Sequence, residues 1–299
     1  MIEAASVNTI KKPMHWQKRR EQFRAHLNSK CCVYPGSVFD PISARIAEEL
    51  GFEIGMFAGS VASLTVLGDP DHIVLTLSEF AEQAYRINRA AELPLLVDAD
   101  HGYGNALNVK RTVEELETAG VAALSIEDTV LPRPFASGGK TTLIPIEEGV
   151  GKMRAAVAGR QDPSLVIAAR TSAAKVTGLE DCTARIEAYQ DTGVDAIFLI
   201  GISEKDQLEA IAKICRLPII LGGAGAAVKD LDYLGSMGVR ICLQGHQPAM
   251  AAIQATYDTL KALREGVKPS ELQGVAGNDL INRFSRSKEY DEWMQDFLE

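Results

Sequence analysis

The 299-residue chain predicts a single (β/α)8 barrel, and three observations predict it. Eight short apolar runs alternate with eight segments of amphipathic helical spacing, the pattern of β-α units repeated around a parallel sheet. Four of the helical segments end on a glycine, Gly51, Gly120, Gly193 or Gly238, just before the next strand. A left-handed residue closes a helix there without steric cost. The first strand runs into Gly36-Ser37-Val38-Phe39-Asp40-Pro41 rather than Gly-x-Gly-x-x-Gly, which argues against a doubly wound open sheet.

The elements follow in order. Trp16–Leu27 is an extra helix capping the barrel, inside an N-terminal helical extension of residues 1–30. Cys32–Ser37 is the first strand, and its helix, Pro41–Leu50, starts at the Asp40 cap with proline in the first turn. The second to fifth units pair Ile54–Ala58 with Leu77–Glu92, Leu95–Asp98 with Asn108–Ala119, Ala122–Ile126 with Ile146–Gly159, and Leu165–Ala169 with Leu179–Thr192. The last three pair Ala196–Ile200 with Glu204–Ile214, Pro218–Leu221 with Val228–Met237, and Val239–Leu243 with His246–Glu265. The strand runs are too uniformly apolar for one-sided exposure, as expected where helices cover the sheet. Two regions exceed the repeat. Asp128–Pro145, with Pro132, Pro134, Gly138 and Gly139, is long enough to be a lid over the barrel mouth. Residues 266–299 form a helical tail whose Phe284, Tyr290, Trp293, Met294, Phe297 and Leu298 require cover, from a partner subunit or from the chain's own barrel. The whole chain, 1–299, reads as one barrel domain with these extensions.

Composition narrows the function. With 46% hydrophobic residues, a mean hydropathy of −0.01 and no run of 18 apolar residues, the chain reads as a cytoplasmic protein without membrane contact. A net charge of −9 argues against a nucleic-acid surface, and the basic cluster Lys11–Arg24 reads as a solvated helix. The five cysteines, Cys31, Cys32, Cys182, Cys215 and Cys242, show no C-x-x-C spacing and read as reduced thiols. Cys31, Cys32 and Cys242 lie in or beside apolar strands and are expected in the core.

The chemistry gathers at strand ends. Leu95-Leu-Val-Asp-Ala-Asp-His-Gly-Tyr-Gly104 passes from an apolar run into two carboxylates, an imidazole and two glycines. Asp98 and Asp100, two apart on an extended chain, would point the same way and offer a hard cation its oxygen ligands. A plain Asp/Gly turn is the alternative for that segment taken alone. A barrel's active site lies at the carboxyl ends of its strands. Those ends bring Phe39 and Asp40, Gly59 and Ser60, Asp98, Asp100 and His101, Glu127 and Asp128, Arg170, Gly201, Gly222 and Gly223, and Gly245 with His246 to one rim. Asp98, Asp100 and Glu127 could hold Mg²⁺ directly or through water, and Arg170 could clamp a carboxylate with two parallel hydrogen bonds.

At this point the motifs become specific. Phe39-Asp40-Pro41 with Ser43-Ala44-Arg45, Gly59-Ser60, Asp98-Ala-Asp-His-Gly-Tyr-Gly-Asn105, Ile126-Glu127-Asp128, Glu147-Glu-Gly-Val-Gly-Lys152 and Ala169-Arg170-Thr171 together resemble the isocitrate lyase and phosphoenolpyruvate mutase superfamily, over about Phe39 to Tyr257. The resemblance implies a metal-dependent barrel, with Mg²⁺ or Mn²⁺, that makes or breaks C–C or C–P bonds of 2-oxo or 2-hydroxy carboxylates through an enolate-like intermediate. It implies a homotetramer, a dimer of dimers, that exchanges C-terminal helices. It further implies Asp100 as the main metal contact with Asp98 and Glu127 acting through water, Ser60 and its neighbouring backbone as a carboxylate cradle, and Arg170 as the substrate clamp.

Within the superfamily, the lid discriminates. The lyase branch carries a cysteine and a histidine there, whereas Leu131–Pro145 has neither, leaving aldol-type cleavage without its usual acid and base. Decarboxylation needs no nucleophile. The bacterial oxaloacetate decarboxylase branch looks most similar, sharing Gly245-His246 followed by Ala251-Ala252-Ile253, and implies that His246 contacts the distal carboxylate. Two departures stand out: Gly222-Gly-Ala-Gly-Ala-Ala227 replaces polar positions, and Ser172 stands where relatives place Asn or Asp. The expectation is therefore decarboxylation of oxaloacetate, or of a 3-substituted relative, to a 2-oxo acid and CO₂. The alternatives are lysis of a 2-methylisocitrate- or 2,3-dimethylmalate-like acid, hydrolysis of oxaloacetate, and a barrel that binds Mg²⁺ and a dicarboxylate without turnover.

Overall fold

The structure is a computed structural model that describes residues 15–299, so Lys11, Lys12 and the start of the expected 1–30 extension lie outside the described residues. In chain order the first elements are α1 (Trp16–Leu27), β1 (Gly36–Ser37), α2 (Pro41–Glu49), β2 (Gly55–Phe57), the one-turn α3 (Gly59–Ala62), α4 (Leu77–Ala90), β3 (Leu95–Asp98) and α5 (Ala106–Thr118). Next come β4 (Ala123–Glu127), α6 (Ile146–Gly159), β5 (Val166–Thr171), the one-turn α7 (Ala173–Val176), α8 (Leu179–Gln190), β6 (Ala196–Leu199) and α9 (Lys205–Ile214). The last are β7 (Ile219–Leu221), α10 (Leu231–Ser236), β8 (Val239–Cys242), α11 (Gln247–Arg264), α12 (Asn278–Ser285) and α13 (Ser287–Leu298).

The eight strands pair in parallel in the order β1 to β8. The ring closes where Val33 N–H donates to Arg240 O and Cys242 N–H donates to Val33 O, both at 3.0 Å. Every residue of β4 and β6 is buried, because helices cover the outside while side chains fill the inside. The four expected capping glycines all have positive φ. β1 is shorter than the expected Cys32–Ser37, since Val33 makes only an isolated bridge to Ile241. Asp230, accepting from Tyr233 N–H, starts α10 three residues later than the periodicity predicts. β5 runs on through Thr171 and so places Arg170 within a strand.

The basic helix corrects one expectation. Arg19 and Arg20 of α1 are buried rather than solvated. Their guanidinium forks donate to the main-chain oxygens of Asn88, Ala91, Glu117 and Val121, and Arg24 adds donations to Ser164 and Leu165. Five fixed donors per arginine suit unpaired carbonyls beside the amino ends of the strands, which is why this cationic helix closes the barrel floor. Cys31 is another correction: it is exposed, while Cys32, Cys182 and Cys242 are buried, and all five thiols are free.

The tail divides. α12 lies on α2, with Phe284 buried, its carbonyl accepting from Arg45 and Arg283 paired with Glu49. By contrast Tyr290, Met294, Phe297 and Leu298 of α13 stay exposed, as do Met250, Ile253, Tyr257, Leu260 and Leu263 of α11. No helix of the described residues is long and apolar enough to cross a membrane.

Candidate active site

At the carboxyl end of the barrel a cavity of about 660 Å³ is lined by residues from the ends of β2 to β8 and from two long loops. Its acidic floor begins with Asp98, the last residue of β3. Asp98 Oδ1 accepts from Ser125 Oγ at 3.1 Å and from Asp100 N–H at 3.3 Å, while Oδ2 takes Nη1 of Arg170. Glu127, the last residue of β4, approaches the same guanidinium, with Oε2 3.2 Å from Arg170 Nε. Phe198 lies under that cation, 5.3 Å from its centre. Burial works against the Arg170 charge, and Asp98 and Glu127 more than offset it, holding the guanidinium above its usual range.

Asp100 reaches the cavity by a different route from the one strand alternation suggests. Its φ is +49°, so the chain has left the strand and entered a left-handed turn. Aspartate tolerates this conformation better than most residues. Gly59 sits directly beneath: a Cβ there would lie 2.7 Å from Asp100 Oδ2, so only glycine leaves the carboxylate its place. Burial, then Asp98, Glu127 and Asp71, push the Asp100 carboxyl well above the ordinary carboxylate range. Glu127 is raised as well, mainly by burial, with Arg170 opposing.

His246 lines the opposite wall and precedes α11. Its Nδ1 lies 2.9 Å from Ser37 Oγ, which leaves Nε2 for a ligand. Burial lowers its pKa, so the ring is neutral near pH 7. Ser60 and Ser172 also line the cavity.

Not every rim residue faces it. Asp40 accepts from Ser43 N–H at 2.7 Å and caps α2, and Phe39 belongs instead to a separate apolar groove beside α11. Asp128 is buried against Arg185 at 2.9 Å and Tyr189 Oη at 2.8 Å. His101 is buried too, its pKa pushed down to about 4 by burial and by Lys152.

Comparison with known proteins places this geometry. The phosphoenolpyruvate phosphomutase model matches residues 23–264. The chain belongs to the phosphoenolpyruvate phosphomutase family. A relative named oxaloacetate decarboxylase, from Bradyrhizobium diazoefficiens, is 58% identical over 92% of this chain and 96% of its own length. Among solved structures of the same superfamily, an oxaloacetate acetylhydrolase in complex with the inhibitor 3,3-difluorooxalacetate superposes with a TM-score of 0.82 at 27% identity, covering 94% of this chain and 97% of that one. A phosphonopyruvate hydrolase in complex with oxalate and Mg²⁺ gives 0.81 at 26% identity, covering 96% and 100%.

Does the donor set suit the divalent cation of this family? Among the described residues no three His, Cys, Asp or Glu side chains form a cage for an ion. Mg²⁺ does not require one, since it keeps several waters and takes one or two carboxylates. Asp98, Asp100, Glu127 and Asp71 surround one cavity, with Arg170, among the described residues, the single cation in an ion pair with any of them. Burial raises the carboxyls of Asp100 and Glu127 first, and the neighbouring carboxylates add to it. All the donors are hard oxygens, and the set fits a hydrated divalent ion.

Sequence reasoning missed part of the wall. Asp71, His72 and Ile73 come from the loop between β2 and α4, and Arg133, Lys140 and Thr141 from the lid. The signal for the first group was length: Ala58 to Thr76 far exceeds the ordinary βα connection of about 2–6 residues. The space beside Gly222, where the sequence lacks the polar positions of its relatives, is filled. A Cβ on Gly222 would overlap Ile200 Cδ1, so the loss of polar groups there brings an apolar wall of Phe198 and Ile200 rather than empty space.

Proposed function

We propose that this chain decarboxylates oxaloacetate, or a 3-substituted relative, to pyruvate or its homologue and CO₂, with Mg²⁺ as the resident ion and Mn²⁺ as a substitute. The supporting observation is one cavity that holds Asp98, Asp100 and Glu127 together with the paired Arg170 and His246. Asp100 would hold the ion directly, with Asp98 and Glu127 acting through its waters. When bound, the ion polarises the C2 ketone and takes up the negative charge that develops there.

The chain's own groups supply the rest. Ser60, at the start of α3, cradles the C1 carboxylate with the neighbouring backbone from Gly59. Arg170, fixed on two sides by Asp98 and Glu127, places its positive charge beside the developing enolate without having to reorganise. His246 Nε2 holds the distal carboxylate as a neutral partner. A neutral hydrogen bond stabilises that anion less than a cation would, so it orients C4 with less opposition to its loss. Breaking C3–C4 sends the electron pair into the C2–C3 enolate, and one proton returned to C3 completes the balance. Asp71, at the cavity rim, is the carboxyl suited to deliver it, being raised by desolvation and by Asp98. Phe198, Ile200, Met56 and Leu243 keep the other wall free of groups that would compete as acids.

The exposed apolar faces of α11 and α13 support assembly as a homotetramer, a dimer of dimers with exchanged C-terminal helices. Five free thiols support a reducing, cytoplasmic setting. NMR of products formed from oxaloacetate and Mg²⁺ tests the reaction. Pyruvate and CO₂ well above the metal-only rate support it. Oxalate with acetate, or unconsumed substrate, refutes it. Sedimentation at micromolar concentration tests the tetramer.

A further inference from the structure

Lys152, on α6, is only 3% exposed. Among the described residues its Nζ makes no ion pair and one hydrogen bond, to the main-chain oxygen of His101 at 2.9 Å. Burial lowers its pKa, and Glu148, Glu127 and Asp128 support the charge only from longer range. A buried ammonium without a carboxylate carries a desolvation penalty, and the bond to the His101 carbonyl is what this one gains in return.

The oxygen it holds belongs to the turn that carries Asp100. Asp100, Gly102 and Tyr103 all have left-handed backbone, at φ +49°, +78° and +58°. Three consecutive carbonyls of this turn are each tied to a different element. Asp100 O accepts from Glu127 N–H of β4 at 2.8 Å, His101 O from Lys152 of α6, and Gly102 O from Thr112 Oγ1 of α5 at 3.1 Å. Only the middle tie uses a charged donor, and it is the carbonyl next to Asp100.

We infer that Lys152 is a positioning residue whose ammonium pins the His101 carbonyl, holds the left-handed turn and thereby fixes the Asp100 carboxylate where metal and substrate oxygens meet. The inference rests on Asp100 being the metal contact. Two readouts on Lys152→Met separate it from that assignment. Hydrogen exchange of the metal-free protein should show the amides of residues 99–105 opening at least ~10-fold faster, with α6 and β4 unchanged. Calorimetry should show Mg²⁺-dependent oxalate binding weakened by roughly 10- to 100-fold, the usual cost of losing a partner that orients a ligand. Wild-type exchange in the turn, or a loss of protection spread equally over α6 and β4, overturns the inference. Should the methionine variant fail to fold, Lys152→Gln, a shorter neutral donor, is measured in the same two ways, and wild-type behaviour of that variant overturns it. If the wild type itself binds no oxalate with Mg²⁺, the metal assignment fails while the exchange comparison still decides the role of Lys152.

Discussion

Gly59→Ala is the cleanest probe of the acidic floor, because it perturbs Asp100 without touching its chemistry. The new Cβ would lie 2.7 Å from Asp100 Oδ2 and 2.9 Å from Oδ1, against the 3.4 Å at which ordinary contact begins. The carboxylate must therefore retreat by about 0.7 Å, the difference between 3.4 and 2.7 Å. Gly59 is not in the left-handed region, so alanine adds no backbone strain and α3 can persist. A shift of this size is close to the ~1 Å misplacement that costs about 10²-fold in rate. The expected result is a fall of roughly 10- to 100-fold in Mg²⁺-dependent oxalate affinity, about 1.4–2.7 kcal/mol, with a similar loss in kcat/KM. Titration calorimetry measures the first and a coupled pyruvate assay the second, with circular dichroism showing that the fold is kept. A folded Gly59→Ala enzyme with wild-type affinity for metal and oxalate would refute the placement of Asp100 as the ion's direct contact.

Three further outcomes follow from the same geometry. Arg170→Lys replaces a planar fork that spans Asp98 and Glu127 with a single ammonium, and kcat should fall by about 10²-fold or more while KM changes less, as read in steady-state kinetics. Gly222→Val sets its side chain against Ile200 and Phe198, and should lower the melting temperature by the several degrees that correspond to about 1–3 kcal/mol of overpacking. For pH, the raised carboxyls of Asp100 and Glu127 contribute stability to the metal-free fold that is fully present below the ordinary carboxylate range and lost as pH rises through their elevated values. Mg²⁺ binds the ionised forms, so the rise in melting temperature on adding it should be larger at about pH 8 than at about pH 5.5, as differential scanning fluorimetry would show.

Much of this was legible in the sequence because it depends on periodicity and local caps. Apolar runs followed by amphipathic segments fix eight strands in order, and glycines such as Gly120 mark helix ends by a conformation that other residues resist. The positions of Asp98, Glu127 and Arg170 follow, since a strand end in a barrel has only one direction to go. What escaped depends on partners far away in sequence. Arg19 and Arg20 look like solvent charges until the unpaired carbonyls of Asn88, Ala91, Glu117 and Val121 are brought beneath them. Asp40 and Asp128 resemble the site acids in composition, and only Ser43 N–H on Asp40 Oδ1, and Arg185 with Tyr189 on Asp128 Oδ2, show that an oxygen of each is already committed.

The glycine–alanine segment after β7 has the same lesson with a chemical consequence. Read as sequence, Gly222 to Ala227 removes polar groups and suggests room for a larger substrate. In the fold, Ile200 takes the place that a side chain at Gly222 would need, and Phe198 supports both Ile200's wall and the Arg170 cation. The substitution therefore acts by changing what faces the substrate rather than how much space it has. A wall without hydrogen-bonding groups offers no base to take the proton from a substrate hydroxyl or from an attacking water, which an aldol cleavage or a hydrolysis requires and a decarboxylation does not. The apolar wall and the lid without cysteine or histidine, two parts of one cavity lining, thus favour the same reaction.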